Sequence, residues 1–421
     1  MENIDNIAFL TLLSILGCAI ICPSEIIGGL SLCFSGLVIF GFIFSNQKQN
    51  YKLELYEKAI ILFFLIVTVS LLGSTLFKLS LHGYIKTVIY ILFYFCCAVF
   101  FNKNYKKIPY LLFFVVCLMS FESFVAIFQN YSGVDEISGW QDTTNINPEE
   151  IISRAYGTLK PYNPNLLAGY LLAGLSGFVY FILTFLKQNK KRIALGFSIL
   201  FLINLIAIID TGCRGAYLGF ALFFPALFFG ILYYVQKKLG GLSNIKKRYK
   251  NIALSSIIGI MAFSIFNPAI SKRFSSIFAL RADSSISFRL NVYESVIQMI
   301  KDNFFLGIGV GNQNFREIYG LYMKTGFDAL GAYCVPLEIT VESGIFALIA
   351  FCCIILFSLL KSLKICKSDN YSTQSKILAL AVFLMILAVM GHGLFDTIWF
   401  RPQVQILFWT YIAMLKGIKA N

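Results

Sequence analysis

Charge is what this chain of 421 residues has least of. Asp, Glu, Lys and Arg make up 13% of it, about half the ~25% usual in a soluble domain. A soluble fold of this length would need far more polar surface. Histidine is nearly absent, with only His82 and His392. The eleven cysteines show no CxxC pair and no Cys/His ligand spacing, so no metal site is expected. No GxxxxGK[ST] occurs, so nothing points to direct ATP binding, and no cofactor is expected. Period-2 alternation between aromatic girdles is missing, which argues against an outer-membrane barrel. There is no internal repeat and no low-complexity tract. The first apolar run lacks a basic leader and is followed at once by another. It reads as a retained helix, not a cleaved signal.

What is present is apolar surface. Hydrophobic residues make up 58% of the chain, with 43 Phe and 22 Tyr, which excludes disorder. A spanning helix takes ~20 apolar residues, so the composition implies an all-α polytopic membrane protein with about twelve transmembrane helices. Uncharged runs centre on residues 7–22, 26–44, 59–77, 84–101, 108–128, 165–186, 193–210, 215–235, 252–266, 336–360, 377–395 and 402–415.

The net charge of +14 invites a nucleic-acid reading. That reading is rejected, because the Lys and Arg sit in short loops between apolar runs, where they set topology. The loops after the second, fourth, sixth, eighth and tenth runs, with the C-terminus, hold 22 Lys and Arg. The opposite side holds 13, seven of them in the long loop 267–335, and long loops count little. Both termini are therefore expected in the cytoplasm, with 129–163 and 267–335 on the outer, periplasmic face. Loops this long without a function are uncommon. The expected organisation is an N-terminal bundle, 1–128, an outer loop, 129–163, and a membrane domain, 164–421. The last carries the large outer loop between spans nine and ten.

Polar residues gather at the outer ends of the later spans. Asp210 and Arg214 are four apart where spans seven and eight meet. They read as an ordinary surface ion pair or as an anion site with an Arg fork. Pro336 opens span ten as a first-turn proline, followed by Glu338 and Glu342 on one helical face. Carboxylates are favoured near a helix N-terminus in any case. His392 and Asp396 are again four apart, with Arg401 beyond them. The pair reads as an ordinary hydrogen-bonded interfacial His or, with the carboxylate fixing its tautomer, as a proton-handling or ligand-binding His. Asn163-Pro164-Asn165 opens span six as a capped helix start. Glu122 lies inside an apolar run, where an ionisable group is a functional candidate by default, with no partner nameable from sequence. Arg281 and Arg289 lie in the large outer loop. Together these predict an outward-facing cavity lined by several arginines and suited to an anion. Most cysteines lie in apolar runs, where they act as small hydrophobes. Cys213 and Cys334 lie near the polar face, and a bond between them stays open. The run Gly307-Ile308-Gly309-Val310-Gly311 reads as a turn, and no broken-helix pair of the secondary-transporter kind is visible.

The order of these features resembles the O-antigen ligase/polymerase superfamily of bacterial inner-membrane proteins. The similar stretches are Asp210-Thr211-Gly212-Cys213-Arg214-Gly215-Ala216, Arg289 followed by Asn303-Phe304-Phe305-Leu306-Gly307-Ile308-Gly309, and Leu337-Glu338 leading to Glu342-Ser343-Gly344. The stretches from Asn163 to Tyr170, Ala329 to Glu338 and His392 to Gln403 look closer to the cyanobacterial IctB family, described as inorganic-carbon (bicarbonate) transporters. The resemblance runs from about residue 140 to the C-terminus.

It implies a multi-pass inner-membrane protein, a GT-C-type glycosyltransferase or ligase that transfers or polymerises a polyprenyl-diphosphate-linked glycan. By resemblance Arg214 and Arg289 hold the diphosphate. The ligases' catalytic His falls at Tyr333, so the base passes to Glu338 or His392. Asp210, Tyr333, Glu342, Asp396, Arg401 and Asn165 complete the expected substrate site. The closer family implies instead a transporter, or transport accessory, for bicarbonate. A third reading is a non-catalytic membrane partner that presents its outer loop.

Overall fold

Among the described residues, helices form where the apolar runs are long, because in lipid only a helix satisfies its own backbone. A computed structural model describes residues 2–44, 51–132, 154–239 and 284–420. Its helices are α1 (Glu2–Ile21), α2 (Ser24–Ile43), α3 (Leu55–Leu72), α4 (Phe77–Lys103), α5 (Ile108–Ser132), α6 (Pro164–Lys187), α7 (Lys191–Asp210), α8 (Arg214–Leu239), α9 (Ser284–Asp302), α10 (Asn312–Tyr319), α11 (Val335–Lys367), α12 (Thr373–Gly393) and α13 (Pro402–Gly417). Among the described residues, ten helices are long and apolar enough to cross a membrane. The chain is a multi-pass, all-helical membrane protein.

The ninth expected span, 252–266, lies outside the described residues, as do Trp140 and Arg281. The helices on either side of it end at opposite ends of the bundle. Lys237, in the last turns of α8, pairs with Asp369, whereas Arg289 of α9 reaches Asp396 at the far end. The twelfth run, α13, is only 16 residues long. It is buried along nearly its whole length and packs on α4, so it is a central helix despite its shortness.

Both chain ends lie at one end of the bundle. Asp5 meets Lys103 at 2.7 Å, and Lys416 meets the buried Glu57 at 2.8 Å. Lys361 pairs with Glu54 at 2.6 Å beside them. These lysines thus share one end of the bundle, and the described polar residues at the ends of α6 to α8 and α11 to α13 gather at the opposite end. Helix α6 is buried on almost every face, with α7, α12 and α5 packed around it. Helices α8 and α12 approach closely through small residues. A Cβ on Gly219 would come within 2.8 Å of the Ala388 carbonyl, and one on Gly391 within 3.0 Å of the Gly219 Cα. Small residues that let backbones touch are the usual glue between membrane helices.

One helix is broken. In α11, Gly344 adopts φ 80°, ψ 175°, a region essentially closed to other residues. The break frees backbone groups that need new partners in a water-poor setting. The glycine run supplies them. Ile308 N–H donates to the Val341 carbonyl at 2.9 Å, and Gly309 N–H to the Glu342 carbonyl at 2.9 Å. Ile345 N–H finds the Phe304 carbonyl at 3.0 Å. The Ser70 hydroxyl on α3 adds a bond to the Glu342 carbonyl at 3.0 Å. Gly307 also has positive φ, 70°, and a Cβ there would strike the Glu342 backbone. The run is therefore more than the turn read from sequence. It is a backbone insert that completes a discontinuous helix.

Gly344→Ala should destabilise the protein by about 1–3 kcal/mol, because its Cβ would collide with the Phe305 carbonyl. Thermal melts of purified protein in detergent should show the drop. Gly36→Ala, whose Cβ meets nothing within 4 Å, should melt like the parent.

Candidate functional site

A cavity of about 590 Å³ opens at the end of the bundle opposite the termini. One wall is the start of α11 and the glycine run. The others come from the α1–α2 turn, α4, the 160–165 segment and the α12–α13 connection. Both the 1–128 and the 164–421 portions of the chain therefore contribute.

Pro336 starts α11, as the sequence implies, and aims Glu338 and Glu342 into the cavity wall. Each carboxylate is fixed by a backbone donor. Ala332 N–H donates a short bond to Glu338 Oε2, and Gly311 N–H donates to Glu342 Oε1 at 2.9 Å. The last donor belongs to the same glycine run that completes the broken helix. Asn314 locks that run from below, with its Nδ2 donating to the Ile308 and Gly309 carbonyls at 2.9 and 2.7 Å.

A second polar chain crosses the floor. Asn163 caps α6 through its side chain, with Pro164 in the first turn, which presents Asn165. Asn165 Nδ2 donates to Asp396 Oδ2 at 2.8 Å, and Arg154 donates to Asn165 Oδ1 at 2.7 Å. Arg154 Nε also donates to the Thr211 carbonyl at 2.8 Å. Asp396 lies 3.9 Å from Arg289 and accepts from Thr397 N–H at 2.7 Å. The Arg289 guanidinium sits over the Tyr333 ring at 6.0 Å, within cation–π reach. This chain ties the α7–α8 turn to α6, the α12–α13 connection and α9.

The sequence-chosen residues divide on this geometry. Glu338, Glu342, Tyr333, Asp396, Arg401 and Asn165 border the cavity. Arg214, Arg289, Asp210 and His392 are not among its lining residues. Arg401 is the one arginine among the lining residues, joined by Lys86 and Lys160. Two spacing arguments also change. Asp210 ends α7 and Arg214 begins α8, with Gly212 at φ 59° between them, so the two do not share a helical face. His392 and Asp396 are likewise separated by the end of α12. His392 is fully buried, and its Nε2 faces Cys213 Sγ at 3.3 Å. Cys213 and Cys334 are both free thiols.

Tyr333, at the position of the expected catalytic His, lies outside the spanning helices. Burial first, and then the nearby Asp396, push its hydroxyl up to about 12. It stays a neutral phenol at neutral pH and cannot act there as the base. Its φ of 49° and the bond from the Tyr293 hydroxyl to its carbonyl at 3.1 Å hold it in place.

Two residues were read differently from sequence. Arg154, at the edge of an outer loop, carried no motif. Only the fold shows it linking Thr211 to Asn165. Glu122 had no nameable partner. It accepts from Thr158 N–H at 2.9 Å and from the Thr158 hydroxyl. Gln129 grips the same strap, its Oε1 accepting from Gly157 N–H at 2.8 Å. Glu122 thus fastens the segment that carries Arg154.

Arg154→Ala strands the Thr211 carbonyl and the Asn165 amide oxygen. Charged-group bonds of this kind are worth about 1.5–3 kcal/mol each, so detergent melts should fall clearly. Glu122→Gln, which keeps an acceptor for Thr158, should fall less.

Two comparisons with known proteins bear on the site. No curated protein matches the chain. A family model described as O-Antigen ligase matches residues 199–352, just over a third of the sequence. The matched stretch runs from α7 to the middle of α11, so this multi-pass membrane protein carries an O-antigen-ligase-like segment that builds the Glu338/Glu342 wall of its cavity.

Proposed function

We propose that this chain is an inner-membrane glycan transferase of the O-antigen ligase kind. It takes a glycan from a polyprenyl-diphosphate-linked donor at the cavity and joins it to an acceptor hydroxyl. The observation that carries this reading is that the matched segment supplies oriented carboxylates and the glycine run to a polar cavity. With both termini in the cytoplasm, that cavity faces the periplasm.

In the proposed step the acceptor oxygen attacks the anomeric carbon of the donor sugar. The bond from that carbon to the diphosphate oxygen breaks, and the polyprenyl diphosphate leaves with the bonding pair. Glu338 accepts the acceptor's proton. Its carboxylate borders the cavity and is oriented by Ala332, which the fully buried His392 cannot match from its place against Cys213. Leaving-group charge needs preplaced cations. Arg401 borders the same cavity as Glu338. Arg289, braced by Asp396 and Tyr333, and Arg214, at the first turn of α8, are assigned to the diphosphate by the family resemblance. Glu342, Asp396, Asn165 and Asp210 hold substrate hydroxyls.

A second reading is an IctB-like bicarbonate carrier or transport accessory. One observation favours it. The break of α11 at Gly344 lies beside Glu342, and discontinuous helices often mark ion sites in transporters. The first reading is preferred because the matched segment is O-antigen-ligase-like. The transporter reading predicts labelled bicarbonate uptake into proteoliposomes, and glycan transfer without such uptake would remove it.

Purified protein given a lipid-linked oligosaccharide and an acceptor should transfer the glycan. Glu338→Gln should lower the rate by about 10²–10⁴-fold, the usual worth of a general base. Arg214→Ala with unchanged transfer would sink the assigned diphosphate role. Tyr333→Phe should leave the shape of the pH–rate profile unaltered between pH 5 and 9, because the phenol titrates near 12.

A further inference from the structure

The cavity has a second half that the matched segment does not build. It lies between α4 and the start of α13. On α4, His82, Lys86 and Tyr90 recur every four residues, on one face, and all three border the cavity. Facing them are Trp399, Gln403, Gln405 and Trp409. None of these seven residues falls within 199–352.

The α13 side has an unusual polar inventory. Trp399, Gln403, Gln405 and Trp409 are 3%, 4%, 7% and 1% exposed. Yet Trp399 Nε1, Gln403 Oε1, Gln405 Oε1 and Trp409 Nε1 are buried with no hydrogen-bond partner. Each such orphan costs on the order of 1–3 kcal/mol, and native interiors hold few of them. They are four of twenty such atoms among the described residues, and these four come together in one cavity wall. Two are donors and two are acceptors, and indoles cannot accept while amide oxygens cannot donate. A ligand that satisfies all four must both give and take hydrogen bonds within one small volume. A sugar hydroxyl does both. The half-buried Phe400 ring adds an apolar face against which pyranose C–H groups can lie. Lys86 and Glu25 border this half with opposite signs, so a sugar carboxylate finds no net countercharge from them.

We infer that Trp399, Gln403, Gln405 and Trp409 form a subsite for an uncharged, hydroxyl-bearing pyranose unit of the glycan. It rests on the reading that the cavity handles a glycan, and assigns sugar selection to a wall outside the matched segment. In this arrangement the indole N–H groups donate to sugar oxygens, and the two glutamine oxygens accept from sugar hydroxyls. The α11 side carries out the chemistry.

The chain has three tryptophans, and two of them are in this wall. Trp140→Phe leaves fluorescence from Trp399 and Trp409 alone. The full chain in detergent is titrated with maltotriose, mannotriose, galactotriose and chitotriose, and with trigalacturonate as an acidic control. At least one neutral trisaccharide should give a saturable spectral change, with trigalacturonate at least tenfold weaker. Gln405→Met, similar in size but without the acceptor oxygen, should weaken the neutral sugar about tenfold. Lys86→Met should change it less than twofold. No saturable change with any neutral sugar, a preference for trigalacturonate, or unchanged affinity in a Gln405→Met protein that melts like its parent would each overturn the subsite. Sugar binding without glycan transfer would overturn only the transferase reading. Transfer without sugar binding would overturn only the subsite.

Discussion

Broken backbone inside a membrane has to be repaired by backbone from elsewhere, and that requirement organises this protein. The break at Gly344 leaves the Val341 and Glu342 carbonyls and the Ile345 amide without helical partners, and the segment from Phe304 to Gly309 supplies the missing bonds. A helix ending inside the bundle would otherwise carry a penalty of several kcal/mol per group. The repair brings Gly311 N–H onto the Glu342 carboxylate, so the element that mends the helix also orients a cavity side chain. Fold and site share one set of hydrogen bonds.

The second organising device is a strap. Residues 154–163 are fastened to α5 by Glu122 and Gln129 and to the α7–α8 turn by Arg154. The strap then turns into α6, where the Asn163 cap presents Asn165 to Asp396. Buried polar groups joined in series hold one another in place, and a fully satisfied network fixes a single arrangement. This contrasts with the α13 wall, whose orphaned indole and amide atoms are satisfied by nothing in the described chain. One polar set is partnered within the described chain, and the other is not.

The matched residues carry the broken helix, the glycine run and the two carboxylates, which a shared reaction would need. The α4 and α13 walls lie outside the matched stretch. The basic end, with Lys103, Lys361 and Lys416 paired to Asp5, Glu54 and Glu57, has no part in either. Its ion pairs tie down helix ends.

Hydropathy alone located the apolar runs that became helices, because a bilayer demands ~20 apolar residues in a row and nothing else satisfies the backbone. Local chemistry also showed in the sequence. The Asn163 cap, Pro336 and Pro402 in first helical turns, and Glu338 and Glu342 on one face all depend on neighbours within four residues. The rest depended on contacts between distant residues. Glu122 meets Thr158, Arg154 meets Asn165 and Thr211, and His392 faces Cys213 across 179 positions. Helical spacing failed for Asp210 with Arg214 and for His392 with Asp396, because a turn intervenes in each pair. A periodic pattern reports which face of a helix is apolar. It carries no record of which helix lies opposite, and that is what decided which polar residues border the cavity.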